Sequence, residues 1–93
     1  MPYEIMQPRF PVGKTYATPG ALALEVDLTI YLRRHHCGDW GDELCDEDKA
    51  ANEQALKDGS RLLSCYRTPA GDRLYIITEW DRSVTTIMLP SEY

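Results

Sequence analysis

Hydrophobic positions crowd into the last third of the chain. From Arg61 to Pro90, three short runs rich in β-branched and aromatic residues are separated by two polar turns, which predicts a three-stranded antiparallel meander. Thr68-Pro69-Ala70-Gly71-Asp72 supplies the first turn, with proline fixing φ and glycine free to take positive φ. The second, Glu79-Trp80-Asp81-Arg82-Ser83, has neither Gly nor Pro and must rely on Asp and Ser side chains bonding nearby backbone. Leu74 to Ile77 is apolar on successive residues, so both faces of that strand should be covered and the strand should be central. Pro90 stops the last strand ahead of a short tail, Ser91 to Tyr93.

Upstream the period changes. Val12 to Ala17 alternates as an edge strand would. Thr18-Pro19 is a helix start, a capping hydroxyl followed by proline at the first helical position, and it predicts a short helix over Gly20 to Val26. Asp27 reads as a second N-cap, after which Leu28, Tyr31, Leu32 and His35 fall on one helical face. Arg33, Arg34 and two histidines sit in the last turn, where positive charge suits the dipole, and Gly38 can close the helix. Gly38 to Cys45 is a loop with Trp40 folded back as its anchor. Asp46-Glu47-Asp48 opens a third helix, whose Ala50, Ala51, Ala55 and Leu56 form a narrow apolar strip and which Asp58-Gly59 ends.

Prolines at 2, 8 and 11 make Met1 to Pro11 an extended arm, with Tyr3, Ile5 and Phe10 available to pin it. Residues 1–93 are thus one α+β domain: two or three short helices packed on a three- to four-stranded, mostly antiparallel sheet with a C-terminal β-meander. Local pattern does not say where the first strand joins.

Composition narrows the classes. No apolar run approaches the ~20 residues of a membrane span, and the N-terminus lacks the basic start and apolar centre of a signal peptide, so a cytoplasmic protein is expected. Three cysteines, an odd number without paired spacing, are expected to be free thiols, with Cys65 in the core. The net charge of −5 is uneven: residues 39–58 hold eight acids against two lysines, a net of −6. Phosphate backbone would be repelled, so direct nucleic-acid binding is disfavoured and a protein with a basic surface is the expected partner.

Candidate chemistry is sparse. His35-His36-Cys37-x-Asp39 with Cys45 collects metal-ligand types, but no CxxC or HxxxH spacing is present, and helical neighbours point about 100° apart. No metal is expected; His35 should pack and His36 should cap helix carbonyls. A calcium loop fails on ligand register. The acidic run is first of all a solvated loop and helix start; as a functional surface it is a protein-docking candidate comprising Asp39, Trp40, Asp42, Glu43, Asp46, Glu47 and Asp48. An alternative polar site would draw on Glu79, Asp81, Arg82 and Ser83 with His35 or His36, as in a small enzyme or ligand-binding protein. The simpler account has Asp81 bonding turn amides and Arg82 pairing with Glu79 or Asp81. A Cys–His nucleophile needs a thiol held against a base, which adjacency of His36 and Cys37 does not supply. No phosphate loop or nucleophile elbow occurs, and no cofactor is expected.

Several segments nevertheless form a pattern: Thr18 to Ala21 (TPGA), His35 to Asp42 (HHCGDWGD), Glu47 to Asn52 (EDKAAN), Leu62 to Tyr66 (LLSCY) and Ile77 to Tyr93 (ITEWDRSVTTIMLPSEY). Together they resemble a family of short proteins carried on plasmids, integrative elements and phages, some labelled plasmid-related proteins and others restriction-system subunits. The resemblance covers Thr18 to Tyr93 and lends no catalytic residue. It implies a context in which small acidic proteins disable host defence complexes. The expectation is a non-enzymatic accessory factor that binds a basic protein, of which an anti-CRISPR or anti-restriction inhibitor is one form. A structural homodimer pairing through exposed strand edges is the remaining alternative.

Overall fold

The computed structural model describes residues 7–93, so the arm contacts expected of Tyr3 and Ile5 lie outside it. In chain order the elements are β1 (Lys14–Ala17), α1 (Pro19–Leu22), α2 (Leu28–His36), α3 (Asp46–Asp58), β2 (Leu62–Arg67), β3 (Arg73–Thr78) and β4 (Val84–Met88), closed by a 3-10 turn at Pro90–Glu92. The fold is α+β, and the C-terminal meander forms as its pattern predicts. β3 pairs antiparallel with both β2 and β4, and it is the interior strand. β1 adds to the far side of β4 in parallel, with Lys14 opposite Val84 and Ala17 opposite Ile87, giving the order β1-β4-β3-β2.

The first predicted helix is corrected to a single turn. Thr18 caps it as expected, its hydroxyl accepting from the Ala21 N–H at 3.2 Å. The chain then leaves the helix within one turn, because Glu25 takes a left-handed φ of 56°. A contact no local pattern announces also holds this corner. The Glu92 carboxylate accepts from the Thr18 hydroxyl at 2.6 Å and the Leu89 N–H at 2.8 Å, tying the tail to α1.

Alternation divides the sheet. Leu74, Ile76, Ile87 and Tyr66 point to one face, where Ala21 and Tyr31 cover them to form the main core. Phe10, Trp40, Leu44, Ala55, Leu62 and Cys65 make a second cluster around β2. α3 meets that cluster along a different strip from the one expected: Ala50 and Ala51 are exposed, and Asn52, Ala55 and Leu56 face inward.

Asn52 has a specific task. Its side-chain oxygen accepts from the Leu63 N–H at 3.0 Å and its amide donates to the Leu63 carbonyl at 2.6 Å, so it pairs with the outer edge of β2 as another strand would. One residue pair along, the Cys65 N–H donates to the Trp40 carbonyl at 3.0 Å. An edge that would invite association is thereby covered. We expect Asn52→Ala to cost about 2 kcal/mol by leaving both Leu63 groups unpaired. Urea unfolding checks the cost, and light scattering should detect association through the released edge.

Candidate functional site

The acidic loop is built from its flanks inward. Arg34, in the last turn of α2, reaches Asp39 at 2.7 Å and lies 4.6 Å from the centre of the Tyr66 ring. Burial pulls the Asp39 carboxyl upward, but the hydrogen bonds from Arg34 and from the Gly41 N–H outweigh it and hold the group below its ordinary value. Trp40 is 5% exposed, lies parallel to Phe10 at 6.0 Å between centroids, and donates its indole N–H to Glu53 at 2.8 Å. Glu53 also receives Arg9 in a two-pronged pair at 2.9 and 2.7 Å, which fastens the end of the arm to α3. Glu43 faces Arg67 at 2.7 Å and Arg73 at 3.7 Å, and the hydrogen bond from Arg67 keeps its carboxyl below the ordinary range.

These contacts divide the seven predicted docking residues. Asp39 and Glu43 are paired within the chain, and Trp40 belongs to the core, where it serves as the loop's anchor but offers no partner a grip. Asp42, Asp46, Glu47 and Asp48 are exposed, and among the described residues none of the four forms an ion pair. The last three occupy the first turn of α3, where the N-terminal end of the helix favours negative charge.

The alternative polar site does not assemble in one place. His35 is fully buried beneath α2, its Nδ1 2.5 Å from the Ser64 hydroxyl and its Nε2 2.8 Å from the Thr78 hydroxyl. Thr78 meets Thr85 at 2.7 Å, and Thr85 meets the Val12 carbonyl at 2.7 Å. Only the carbonyl is a pure acceptor, and it fixes each proton as far as His35 Nε2. Thr85 donates to Val12, Thr78 to Thr85, and His35 Nε2–H to Thr78. Burial, aided by the charges of His36 and Arg82, lowers the imidazole pKa to about 3, so the ring is neutral near pH 7 and its Nδ1 is left bare to accept from Ser64.

A serine donating to an imidazole is the arrangement that activates a nucleophile. Here both side chains are sealed from solvent, so no substrate reaches them. Both ring nitrogens of His35 are also occupied, and among the described residues no three His, Cys, Asp or Glu side chains converge as a metal site would require. His36 meets the edge of Phe10 at 5.8 Å, so it helps to pin the arm. The three thiols are free; Cys37 is half-buried, Cys45 exposed, and Cys65 buried with its pKa raised by desolvation.

The turn between β3 and β4 holds the other four residues. Asp81 accepts from the Ser83 N–H at 3.1 Å and the Ser83 hydroxyl at 2.6 Å, as turn chemistry predicts. Arg82 departs from the expected pairing with Glu79 or Asp81. Its guanidinium donates to the carbonyls of Ser60 at 2.6 Å, Ala55 at 3.0 Å, Glu79 at 3.1 Å and Trp80 at 3.2 Å. Arg82 also has a left-handed φ of 61°, a strain of about 1–2 kcal/mol that those bonds offset. The carbonyl of Ala55 lies in the last turn of α3, so the arginine completes a helix end as well as a turn.

Sequence reasoning missed Asn52, Glu53, Ser64 and this use of Arg82. For Asn52 a signal existed: it is a polar residue three positions before Ala55, on the same side of the helix, and buried polar groups need partners. Beside it lies a groove of about 320 Å³ between α3 and the start of β2, with Asp48 and Asp58 among its walls. Comparison of the chain with protein-family models, with curated proteins and with solved structures gave no match. Functional argument therefore rests on the geometry above.

Proposed function

We propose that this chain is a small, non-enzymatic protein-binding factor of a mobile genetic element that acts by docking on a protein with a basic surface, as an anti-CRISPR or anti-restriction inhibitor would. One observation carries the reading: Asp42, Asp46, Glu47 and Asp48 are exposed and, among the described residues, form no ion pair, while their neighbours Asp39 and Glu43 do. Carboxylates clustered around the first turn of one helix favour approach to a basic groove and raise its on-rate. The motif resemblance supports the mobile-element setting. No helix among the described residues is long and apolar enough to cross a membrane.

The test uses the full chain as bait in the host cell, followed by affinity measurements on the captured partner. Binding should weaken at least tenfold between 50 and 300 mM salt, by analogy with other charge-driven associations. It should weaken similarly in Asp42→Lys/Asp46→Lys/Glu47→Lys. Glu43 is left untouched because its pairing with Arg67 is structural. Binding indifferent to salt and to the triple reversal would exclude this surface.

A further inference from the structure

At the opposite end of α3 from the acidic loop, one large apolar side chain stands in solvent. Trp80 is 68% exposed. The backbone beneath it is held at several points: Arg82 grips four carbonyls, that of Trp80 among them, Asp81 ties back to Ser83, and the Glu79 N–H donates to Val84 O at 2.9 Å. A turn held this firmly presents the indole from a backbone with little conformational freedom left to lose on binding, which favours a tryptophan as a contact residue.

Arg82 joins this turn to the groove along α3, because the carbonyls it grips at Ala55 and Ser60 belong to groove-lining residues. The accessible charge of the combined surface is negative. Asp48 and Asp58 line the groove and Glu79 and Asp81 flank the tryptophan, all four exposed. Of the cations lining the groove or the turn, Arg82 is directed inward and Arg61, which also lines the groove, lies over the Tyr93 ring at 5.5 Å, so the four carboxylates outnumber them. An anionic ligand would be repelled here. An apolar helix would strip water from Asp48 and Asp58 without replacing it. A long cationic side chain satisfies both parts, its apolar stem against the indole face and its charged head among the carboxylates.

We propose that Trp80 and the α3–β2 groove form a docking site for a lysine- or arginine-bearing segment of a partner protein. This rests on the basic-partner reading but moves the decisive contact along α3, whose thirteen residues span about 20 Å.

The experiment titrates the isotope-labelled full chain with a hexalysine peptide and maps amide and indole NMR shifts, with hexaglutamate as the control. The expected result is saturable movement of the Trp80 indole N–H and the amides of Gly59 to Leu63 with hexalysine alone. Affinity should fall at least fivefold in Trp80→Ala, a substitution at an exposed site that removes no charge, and severalfold in Asp48→Asn. Unchanged Trp40 fluorescence verifies that each variant is folded. Shifts confined to Asp42 through Glu47 would overturn the groove site while leaving the basic-partner reading in place. A Trp80→Ala affinity within twofold of the parent would do the same. Absence of any saturable shift would overturn both.

Discussion

Replacing Gly41 with alanine should unfold most of this protein at temperatures where the parent is stable. Gly41 has φ 91°, which an L residue adopts only with strain of about 1–2 kcal/mol. A Cβ there would also lie 2.0 Å from the Cys65 carbonyl oxygen and 2.8 Å from its carbon. Those are backbone atoms of β2, held in register with β3, so the strand cannot yield without losing its pairing. The loop must lift instead, breaking the Cys65 N–H bond to Trp40 O and drawing Trp40 away from Phe10. A total loss of about 3–5 kcal/mol is expected, set against the 5–15 kcal/mol typical of whole domains. That corresponds to at least about 12 °C in melting temperature for a chain of this size. Gly59→Ala is the control. It shares a left-handed φ of 79°, but nothing lies within 4 Å of the added carbon, so only the strain of about 1–2 kcal/mol should register. Thermal melts of both variants separate clash from strain; equal losses would show that the close approach at Cys65 does not matter.

Much of this architecture is legible in local pattern. Alternation and turn chemistry give β2, β3 and β4, and caps at Asp27 and Gly59 bound α2 and α3, because these signals act over a few residues. What is not legible depends on distant contact. The parallel pairing of β1 with β4 joins positions 70 residues apart, as Lys14 opposite Val84 illustrates, and nothing near Lys14 encodes it. Trp40 lies in an acidic loop that reads as a surface, yet Phe10 and Glu53 draw it inward. Arg82 reads as half of an ion pair because its sequence neighbours are acids; its actual partners are carbonyls, two in its own turn and two, at Ala55 and Ser60, brought close only by the finished fold. The docking candidate was legible as charge, but which carboxylates remain free depended on where Arg34 and Arg67 came to rest. The buried chain from Ser64 through His35 to Val12 has no local signature, since it unites five separate segments.

That buried chain makes the protein lose stability in mild acid. His35 has a folded pKa of about 3 against its ordinary 6.5, so between those values the unfolded chain binds a proton that the native chain does not. The contribution is fully present above pH 6.5 and is lost as pH falls toward 3. Over pH 6.5 to 5 the loss should be about 2 kcal/mol, at roughly 1.4 kcal/mol per pH unit once below the unfolded value. The carboxylates held below their ordinary range, such as Asp39 and Glu53, contribute in the same direction but at lower pH. Their stabilisation is present above their unfolded values near 4 and is lost only as pH drops through the folded ones, so the upper window isolates His35 from them. Urea unfolding at pH 7, 6 and 5, followed through Trp40 fluorescence, measures the slope. His35→Gln retains an acceptor and a donor but cannot titrate. It should be less stable at pH 7 by about 1–3 kcal/mol through imperfect hydrogen bonding, yet lose little more on going to pH 5, so the two curves should converge as the solution is acidified. A parent protein equally stable at pH 7 and pH 5 would mean that the imidazole finds water or opens locally, and the neutral ring accepting from Ser64 would have to be abandoned.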